Sequence, residues 1–218
     1  MATDKIFNLI ILDESGSMES IKKATIIGFN ELVQTIKGIE KKYPDQQHFI
    51  SLVTFNGLGI KTHLDKEEAS NLSQINKKNY RPDSTTPLYD AIGLSVLKLR
   101  VDLASQENTN VLVTILTDGE ENASKEFTGK QVRAIIDEQK AQGWTFTYIG
   151  ANHNVERAAA AMSITNTMNF AANDEDVKEM FLKEQSSRIR YSNRISNKDF
   201  SHENYYQDLD ASTEPEKA

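Results

Sequence analysis

The fold is decided by the stretch Ile6-Phe7-Asn8-Leu9-Ile10-Ile11-Leu12-Asp13-Glu14-Ser15-Gly16-Ser17-Met18. Its apolar first half predicts a buried strand, and the polar residues that follow predict a loop at the end of that strand. Within the loop, Asp13, Ser15 and Ser17 alternate and offer one carboxylate and two hydroxyl groups. Oxygen donors of this kind suit Mg²⁺, which prefers near-octahedral oxygen coordination and keeps some of its water molecules.

Two later stretches could complete a metal site. They are Ser84-Thr85-Thr86-Pro87-Leu88-Tyr89-Asp90 and Leu116-Thr117-Asp118-Gly119-Glu120. In an open α/β sheet, ligands bind outside the carboxyl ends of the strands, and Asp13 and Asp118 both follow strongly apolar runs. Either aspartate could instead cap the helix that follows it. Two caps would not require the pair of serines, nor a hydroxyl-bearing loop before the next helix, so the metal interpretation is favoured.

These three segments, in this order, resemble the metal-ion-dependent adhesion site (MIDAS) of von Willebrand factor type A (VWA) domains. The resemblance runs from about Ile6 to about Arg190 and is closest to the intracellular, single-domain bacterial members. Three ordered motifs are much more specific than a single Asp-x-Ser-x-Ser motif. The family's site uses a metal ion as cofactor, and the resemblance implies Mg²⁺ here, with Mn²⁺ or Ca²⁺ as alternatives.

The resemblance also implies a role for each residue of the site. Ser15, Ser17 and Thr86 would bind the metal directly, whereas Asp13 and Asp118 would act largely through bound water. A Glu or Asp side chain of a protein partner would fill the sixth position, which makes the chain a non-enzymatic interaction module.

One segment departs from the family pattern. Where many relatives have Gly-Gly-Thr before Pro-Leu, this chain has Ser84-Thr85-Thr86, so Thr85 is a rival ligand. Alignment on Pro-Leu-Tyr-Asp favours Thr86. The neighbouring residues Glu14, Glu120 and Glu121 are interpreted as solvated loop carboxylates.

Composition limits the class of protein and of partner. The 218 residues suffice for one large domain, and Lys plus Arg (25) against Asp plus Glu (32) gives a formal net charge of −7. An acidic balance argues against nucleic acid or an anionic membrane as the main partner, because both require a cationic surface. The chain has no cysteine, and its first residues do not have the layout of a signal peptide, so a cytoplasmic protein is expected. It is also expected to be a monomer on its own.

Apolar patterning predicts an α/β fold, a doubly wound, mostly parallel central sheet flanked by helices on both faces, with one antiparallel edge strand. Strands are expected at 6–11, 48–55, 60–64, 110–117, 144–149 and 167–170. Helices are expected at 21–42, 66–75, 88–104, 128–142, 155–162 and 174–190.

Four finer expectations accompany this pattern. Ser20 is the expected N-cap of the first helix, and Gly28 is expected to permit close packing of that helix on the sheet. The basic residues near the end of the last helix are interpreted as a solvated face; they are Lys183, Arg188, Arg190 and Arg194. Residues 1–190 are expected to form the VWA domain and residues 191–218 an acidic, flexible tail.

Three alternatives to the interaction module remain open. Ser15, Asp118 and His153 occur in the chain order of an α/β-hydrolase triad, although Asp13 and Ser17 replace the two glycines of the nucleophile elbow. A Mg²⁺-dependent phosphotransferase or phosphatase could use Asp13 as nucleophile, but Ser15 stands where its second aspartate would be expected. A structural subunit with a relict metal site is the third alternative.

Overall fold

A six-stranded sheet organises the computed structural model, which describes residues 3–69, 74–199 and 205–206. The strands are β1 Asp4–Asp13, β2 Gln46–Asn56, β3 Gly59–Glu68, β4 Thr109–Thr117, β5 Thr145–Gly150 and β6 Asn166–Asn169. Their order across the sheet is β3-β2-β1-β4-β5-β6, and only the pairing of β2 with β3 is antiparallel. This confirms the predicted fold class and its antiparallel edge strand.

Helices cover both faces of the sheet. They are α1 Lys22–Lys42, α2 Leu88–Leu103, α3 Gly129–Ala141, α4 Val155–Ala161 and α5 Asp174–Ser196. Alternate residues of β1 supply the two halves of the core. Phe7, Leu9 and Ile11 pack with α2, α3 and α4, whereas Ile10 and Leu12 pack with α1 and α5. A strand buried on both faces has this nearly continuous apolar sequence, as predicted for β1.

Two local predictions were wrong. The helix expected at 66–75 does not begin at Lys66, because β3 continues to Glu68 beside β2, and residues 70–73 lie outside the described residues. At Lys66, which has φ of 54°, the strand bulges and the backbone N–H donates to Ser51 Oγ at 3.0 Å. Ser20 does not cap α1. It lies within a 3₁₀ helix, Gly16–Ile21, and its hydroxyl donates to the Ser17 carbonyl.

The close approach allowed by Gly28 is to α5 rather than to the sheet. A side-chain carbon at Gly28 would lie 2.0 Å from Cδ2 of Phe181, which is itself buried. Gly28 therefore sets how near α1 and α5 can lie. No helix in the described ranges combines the length and apolar character needed to cross a membrane.

A buried polar network lies under α5, where a solvated basic face was expected. Arg188 is 2% exposed and donates to Asn8 Oδ1 and Thr114 Oγ1, both at 2.7 Å. Its Nε lies 2.9 Å from Glu184 Oε1, an ion pair whose angle falls outside hydrogen-bond geometry. A buried arginine that is paired in this way belongs to the core, so the expectation of a solvated face was wrong for Arg188.

The chain beyond residue 190 contributes to this network. α5 continues past the expected boundary to Ser196, and Tyr205 is buried against the domain. The hydroxyls of Tyr205 and Tyr206 donate to the two oxygens of Glu184, at 3.2 and 2.8 Å. The other residues of the expected tail, 200–204 and 207–218, lie outside the described residues, and their flexibility stays a prediction.

Candidate metal centre

The carboxyl end of β1 places Asp13 at the centre of the site. Asp13 is fully buried, and both of its carboxylate oxygens accept hydrogen bonds from the protein. The Ser15 N–H donates to Oδ1 at 2.7 Å, and the Thr117 hydroxyl donates to Oδ2 at 2.5 Å. An ionised carboxylate can accept more than one bond on each oxygen, so Asp13 can still attract a cation, directly or through water.

Asp118 follows β4 and faces the first loop, which we define as residues 14–18 after β1; the second loop is residues 81–87 before α2. Asp118 Oδ1 accepts a hydrogen bond from the Ser17 hydroxyl at 2.6 Å, and the hydroxyls of Ser15 and Ser17 lie 3.3 Å apart. The other carboxylate oxygen, Oδ2, is buried and has no hydrogen-bond partner among the described residues. Buried polar atoms are nearly always paired, so this oxygen points to a ligand that the protein atoms do not supply.

The two threonines of the second loop face different neighbours. Thr86 is 4% exposed. If Gly119 carried a Cβ atom, that atom would lie 3.7 Å from Thr86 Oγ1 and 4.0 Å from Ser17 Oγ, so both hydroxyls lie near Gly119. The Thr85 hydroxyl instead lies against the hairpin between β2 and β3, where a side-chain carbon at Gly57 would approach within 2.3 Å of it. The structure therefore groups Thr86, and not Thr85, with the serines and aspartates of the site.

The first and second loops are joined by backbone hydrogen bonds and by Glu14. Gly16 N donates to the Ser84 carbonyl at 3.0 Å, and Asp83 N donates to the Glu14 carbonyl at 2.9 Å. The Glu14 carboxylate accepts from the Arg81 N–H and from the Thr54 hydroxyl. Glu14 is 1% exposed, so the expectation of a solvated carboxylate was wrong, and its role is to hold the second loop against β2.

Glu121 also differs from the expected solvated carboxylate. α2 begins after Pro87 without a side-chain cap of its own, which leaves N–H groups of its first turn in need of acceptors. Glu121 Oε2 accepts from Tyr89 N at 2.8 Å, and Ser124 Oγ accepts from Asp90 N at 3.0 Å. The loop after β4 therefore caps α2. Glu120 is exposed, as expected.

The electrostatics of the site favour a bound cation. Burial raises the pKa of Asp13 to about 6, although the bonds from Thr117 and Ser15 oppose this shift. Burial also raises the pKa of Asp118. Within the described ranges, no Lys or Arg forms an ion pair with either carboxylate. Two buried carboxylates without a Lys or Arg partner among the described residues carry a desolvation cost that a divalent cation would offset.

The donor set consists mainly of hydroxyls rather than of clustered charged ligands. Among the described residues, no group of three or more His, Cys, Asp or Glu side chains could hold a metal ion. The site instead combines two carboxylates with three hydroxyls, all of them oxygen donors of the kind that Mg²⁺, Mn²⁺ and Ca²⁺ bind. The five residues expected at the site are therefore brought together.

The hydrolase alternative is not supported by the position of His153. Its Nδ1 lies 2.5 Å from the Ala151 carbonyl and its Nε2 lies 3.0 Å from the Tyr148 hydroxyl. A carbonyl can only accept, so Nδ1 carries the proton and Nε2 accepts from Tyr148. Both ring nitrogens are thus hydrogen-bonded to groups other than Ser15, and the described residues do not form the hydrogen bonds of a Ser15–His153–Asp118 triad.

Comparison with known proteins supports the fold. The chain resembles the open form of the pilus adhesin SpaC from Lactobacillus rhamnosus GG, with a TM-score of 0.62, 15% identity, and coverage of 88% of this chain and 31% of that one. It also resembles proximal thread matrix protein 1 of the mussel byssus, with a TM-score of 0.53, 10% identity, and coverage of 87% and 47%. The chain thus spans less than half the length of both proteins.

A third similar structure is that of the manganese-loaded TRAP protein of Plasmodium vivax. Its TM-score is 0.52 and its identity 14%, with coverage of 85% of this chain and 74% of that one. Likenesses at such low identity show the fold alone, and no protein with a curated description matches the chain. The family model of the von Willebrand factor type A domain, however, matches residues 9–187. The chain therefore belongs to the von Willebrand factor type A domain family.

Proposed function

We propose that this protein is a non-enzymatic binding module that engages a protein partner through a divalent metal ion, Mg²⁺ in the first instance. Ser15, Ser17 and Thr86 would bind the ion, and Asp13 and Asp118 would hold it largely through water. The observation that carries the proposal is the buried, unpartnered Oδ2 of Asp118 beside a pair of hydroxyls.

The chemistry of the donor set explains why a partner would be needed. Serine and threonine hydroxyls are neutral ligands, so they leave much of the charge of a divalent ion uncompensated. A Glu or Asp side chain from another protein would bind such an ion well. Domains of this family generally act in protein–protein interaction, which agrees with this use of the site.

Mg²⁺ is the first ion to consider, and two other divalent ions fit the same oxygen donors. TRAP, which shares the fold, is described as manganese-loaded, so Mn²⁺ is a reasonable substitute for Mg²⁺, and Ca²⁺ is a further alternative. A cytoplasmic location and a monomeric state stay predictions from composition.

Two features argue against enzymatic use of the same residues. A nucleophilic Asp13 would need to reach a substrate, but its side chain is fully buried and both oxygens are hydrogen-bonded. The nitrogens of His153 are engaged elsewhere, so it offers no general base to Ser15. Both features support a proposal of binding rather than bond cleavage.

Capture of a partner with the full chain as bait tests this proposal. We expect proteins from a lysate of the source cells to be retained in Mg²⁺, released by EDTA, and lost when the bait carries Asp13→Ala. The matched control is Asp83→Ala, an exposed aspartate of the second loop, which should retain the same proteins as wild type. Circular dichroism spectra of all baits should agree.

Two outcomes would contradict the proposal. Retention of the same proteins in EDTA and by Asp13→Ala would indicate a structural subunit whose metal site is a relict. Turnover of an ester or phosphate substrate that is lost in Asp13→Ala would indicate an enzyme.

A further inference from the structure

Asn122, which lies outside the three motifs of the candidate metal site, contacts the backbone of Thr86 twice. The Thr86 N–H donates to Asn122 Oδ1 at 2.9 Å, and the Asn122 N–H donates to the Thr86 carbonyl at 3.1 Å. These two bonds join the loop after Asp118 to the loop that carries the candidate threonine ligand. The N–H and the carbonyl of Thr86 are thus both held by one residue.

The loop that contains Asn122 is itself firmly attached to α2. The carboxylate of Glu121 accepts from Tyr89 N of α2 and from Ala123 N and Ser124 N of its own loop, at 2.7–2.8 Å. Asp90 of α2 accepts in return from three successive N–H groups of the same loop; these belong to Lys125, Glu126 and Phe127. Asn122 therefore belongs to a loop that is hydrogen-bonded to α2, so it can fix the position of Thr86.

The Thr86 side chain needs such support. Its Oγ1 forms no hydrogen bond with the described part of the chain, so the orientation of the hydroxyl depends on the backbone that carries it. The hydrogen bonds of the preceding residues, from Gly16 N to the Ser84 carbonyl and from Asp83 N to the Glu14 carbonyl, attach the loop two or more residues before Thr86. Asn122 is the side chain that anchors the backbone at Thr86 itself.

We propose that Asn122 is a positioning residue of the metal centre: it holds Thr86 at the orientation in which its hydroxyl can bind the ion, without touching the ion itself. This inference rests on the proposed metal-dependent function. Partners outside the direct ligand shell commonly change metal affinity by ~10–100-fold when they are removed. Asn122 is expected to act in this range and to act through Thr86.

Metal affinity of the full chain measures this role directly. Isothermal titration with Mn²⁺ should show Asn122→Ala binding at least ~10-fold more weakly than wild type. Asn122→Asp keeps an oxygen acceptor for the Thr86 N–H and should bind within about threefold of wild type or more tightly, since the added charge favours a cation. The matched control is Asn154→Ala, which also removes an Asn oxygen from a backbone N–H, that of Arg157 in α4.

Thermal unfolding in EDTA separates positioning from stability. Asn122→Ala and Asn154→Ala should lose similar amounts of metal-free stability, yet only Asn122→Ala should lose metal affinity. A double-mutant cycle compares Thr86→Val with the double variant Asn122→Ala/Thr86→Val. The double variant should bind Mn²⁺ less than about twofold more weakly than Thr86→Val alone, because both changes act on one hydroxyl. If Asn122→Ala does not fold, Asn122→Gln, which displaces the acceptor by one methylene, should show the same loss of affinity.

The results that overturn the inference are distinct from failure of the proposed function. Tight Mn²⁺ binding by wild type together with unchanged affinity of Asn122→Ala, or fully additive losses in the cycle, would overturn the role of Asn122 alone. Absence of Mn²⁺ binding by wild type would overturn both the metal-dependent function and the positioning role.

Discussion

At the scale of single residues, the second loop shows how identical side chains acquire different roles. Thr85 and Thr86 are neighbours of the same type, but the Thr85 hydroxyl faces Gly57 on the β2–β3 hairpin and the Thr86 hydroxyl faces Gly119 and Ser17. Since Gly57 has no side chain, the β2–β3 hairpin can approach the second loop closely, and the Thr85 hydroxyl lies against it. Thr86 is then the threonine that lies beside Ser17 and Gly119.

The five residues predicted from the sequence lie together at the candidate site, but the residues that hold them in place were not predicted. Asp13 and Asp118 were predictable because each polar motif directly follows an apolar strand, and parallel strands end at one edge of the sheet. Glu14 and Asn122 were not, because their roles depend on contacts with Arg81 and Thr86, which are distant in the sequence. Isolated loop residues of these types usually make no contact with a distant loop, and no local pattern distinguishes these two.

At the scale of elements, the contact between α1 and α5 depends on one glycine. Phe181 of α5 occupies the space where a side chain at Gly28 would lie. Gly38 lies in the same helix, but a side-chain carbon there would meet nothing within 4 Å. α1 thus contains two glycines of which only one is required by packing.

Substitution of each glycine by alanine should therefore have opposite effects. Gly28→Ala should lower the free energy of unfolding by about 1–3 kcal/mol, because the new methyl group forces Phe181 or α5 to move. Gly38→Ala should raise it by about 0.5–1 kcal/mol, since alanine is the better helix former at an exposed position. Urea denaturation measures both values. Equal stability of the two variants would contradict the packing described for α1 and α5.

Most elements were predictable from periodicity, and the failures have a common cause. The strands and the long helices have clear apolar repeats, so they appear within a few residues of the expected positions, apart from the end of α5. The segment 66–68 has a charged, helix-favouring sequence, but pairing with β2 makes it part of β3. Tertiary contacts of this kind override local propensity, and they are not encoded in the spacing of apolar residues.

At the scale of the whole molecule, the buried polar network links β1, β2, β4 and α5. His48 of β2 belongs to it and is 2% exposed, with Nε2 lying 3.3 Å from Gln46 Oε1. Burial, and secondarily the positive charge of Arg188, lower the pKa of His48 to about 3. The folded protein thus keeps His48 neutral, whereas the unfolded chain protonates it near pH 6.5.

This difference makes stability depend on pH in a predictable direction. Between pH 6.5 and about pH 3 the unfolded chain binds a proton at His48 that the folded protein does not, so lowering the pH destabilises the fold. Replacement by His48→Gln should reduce the loss of unfolding free energy between pH 7 and pH 4, by about 1 kcal/mol per pH unit below 6.5. Asp65 and Asp102 also have lowered pKa values, but they contribute equally to the pH dependence of wild type and of His48→Gln.

Urea denaturation at several pH values measures this slope. The half-buried His63 serves as a comparison, because His63→Gln should change the slope less than His48→Gln does. The same pH dependence in wild type and His48→Gln would mean that His48 titrates normally in the fold and that the network does not exclude its charge.

The central claim is that three loops at the carboxyl edge of the sheet form one divalent metal site in which Thr86 is a ligand. Isothermal titration of the full chain with Mn²⁺ tests it most directly, with Thr86→Val and Thr85→Val as a matched pair. Wild type should bind one ion, Thr86→Val should bind at least ~10-fold more weakly, a loss of about 1.4 kcal/mol, and Thr85→Val should stay within about twofold of wild type. Binding that is unaffected by Thr86→Val but lost in Thr85→Val, or no binding by wild type, would contradict the account.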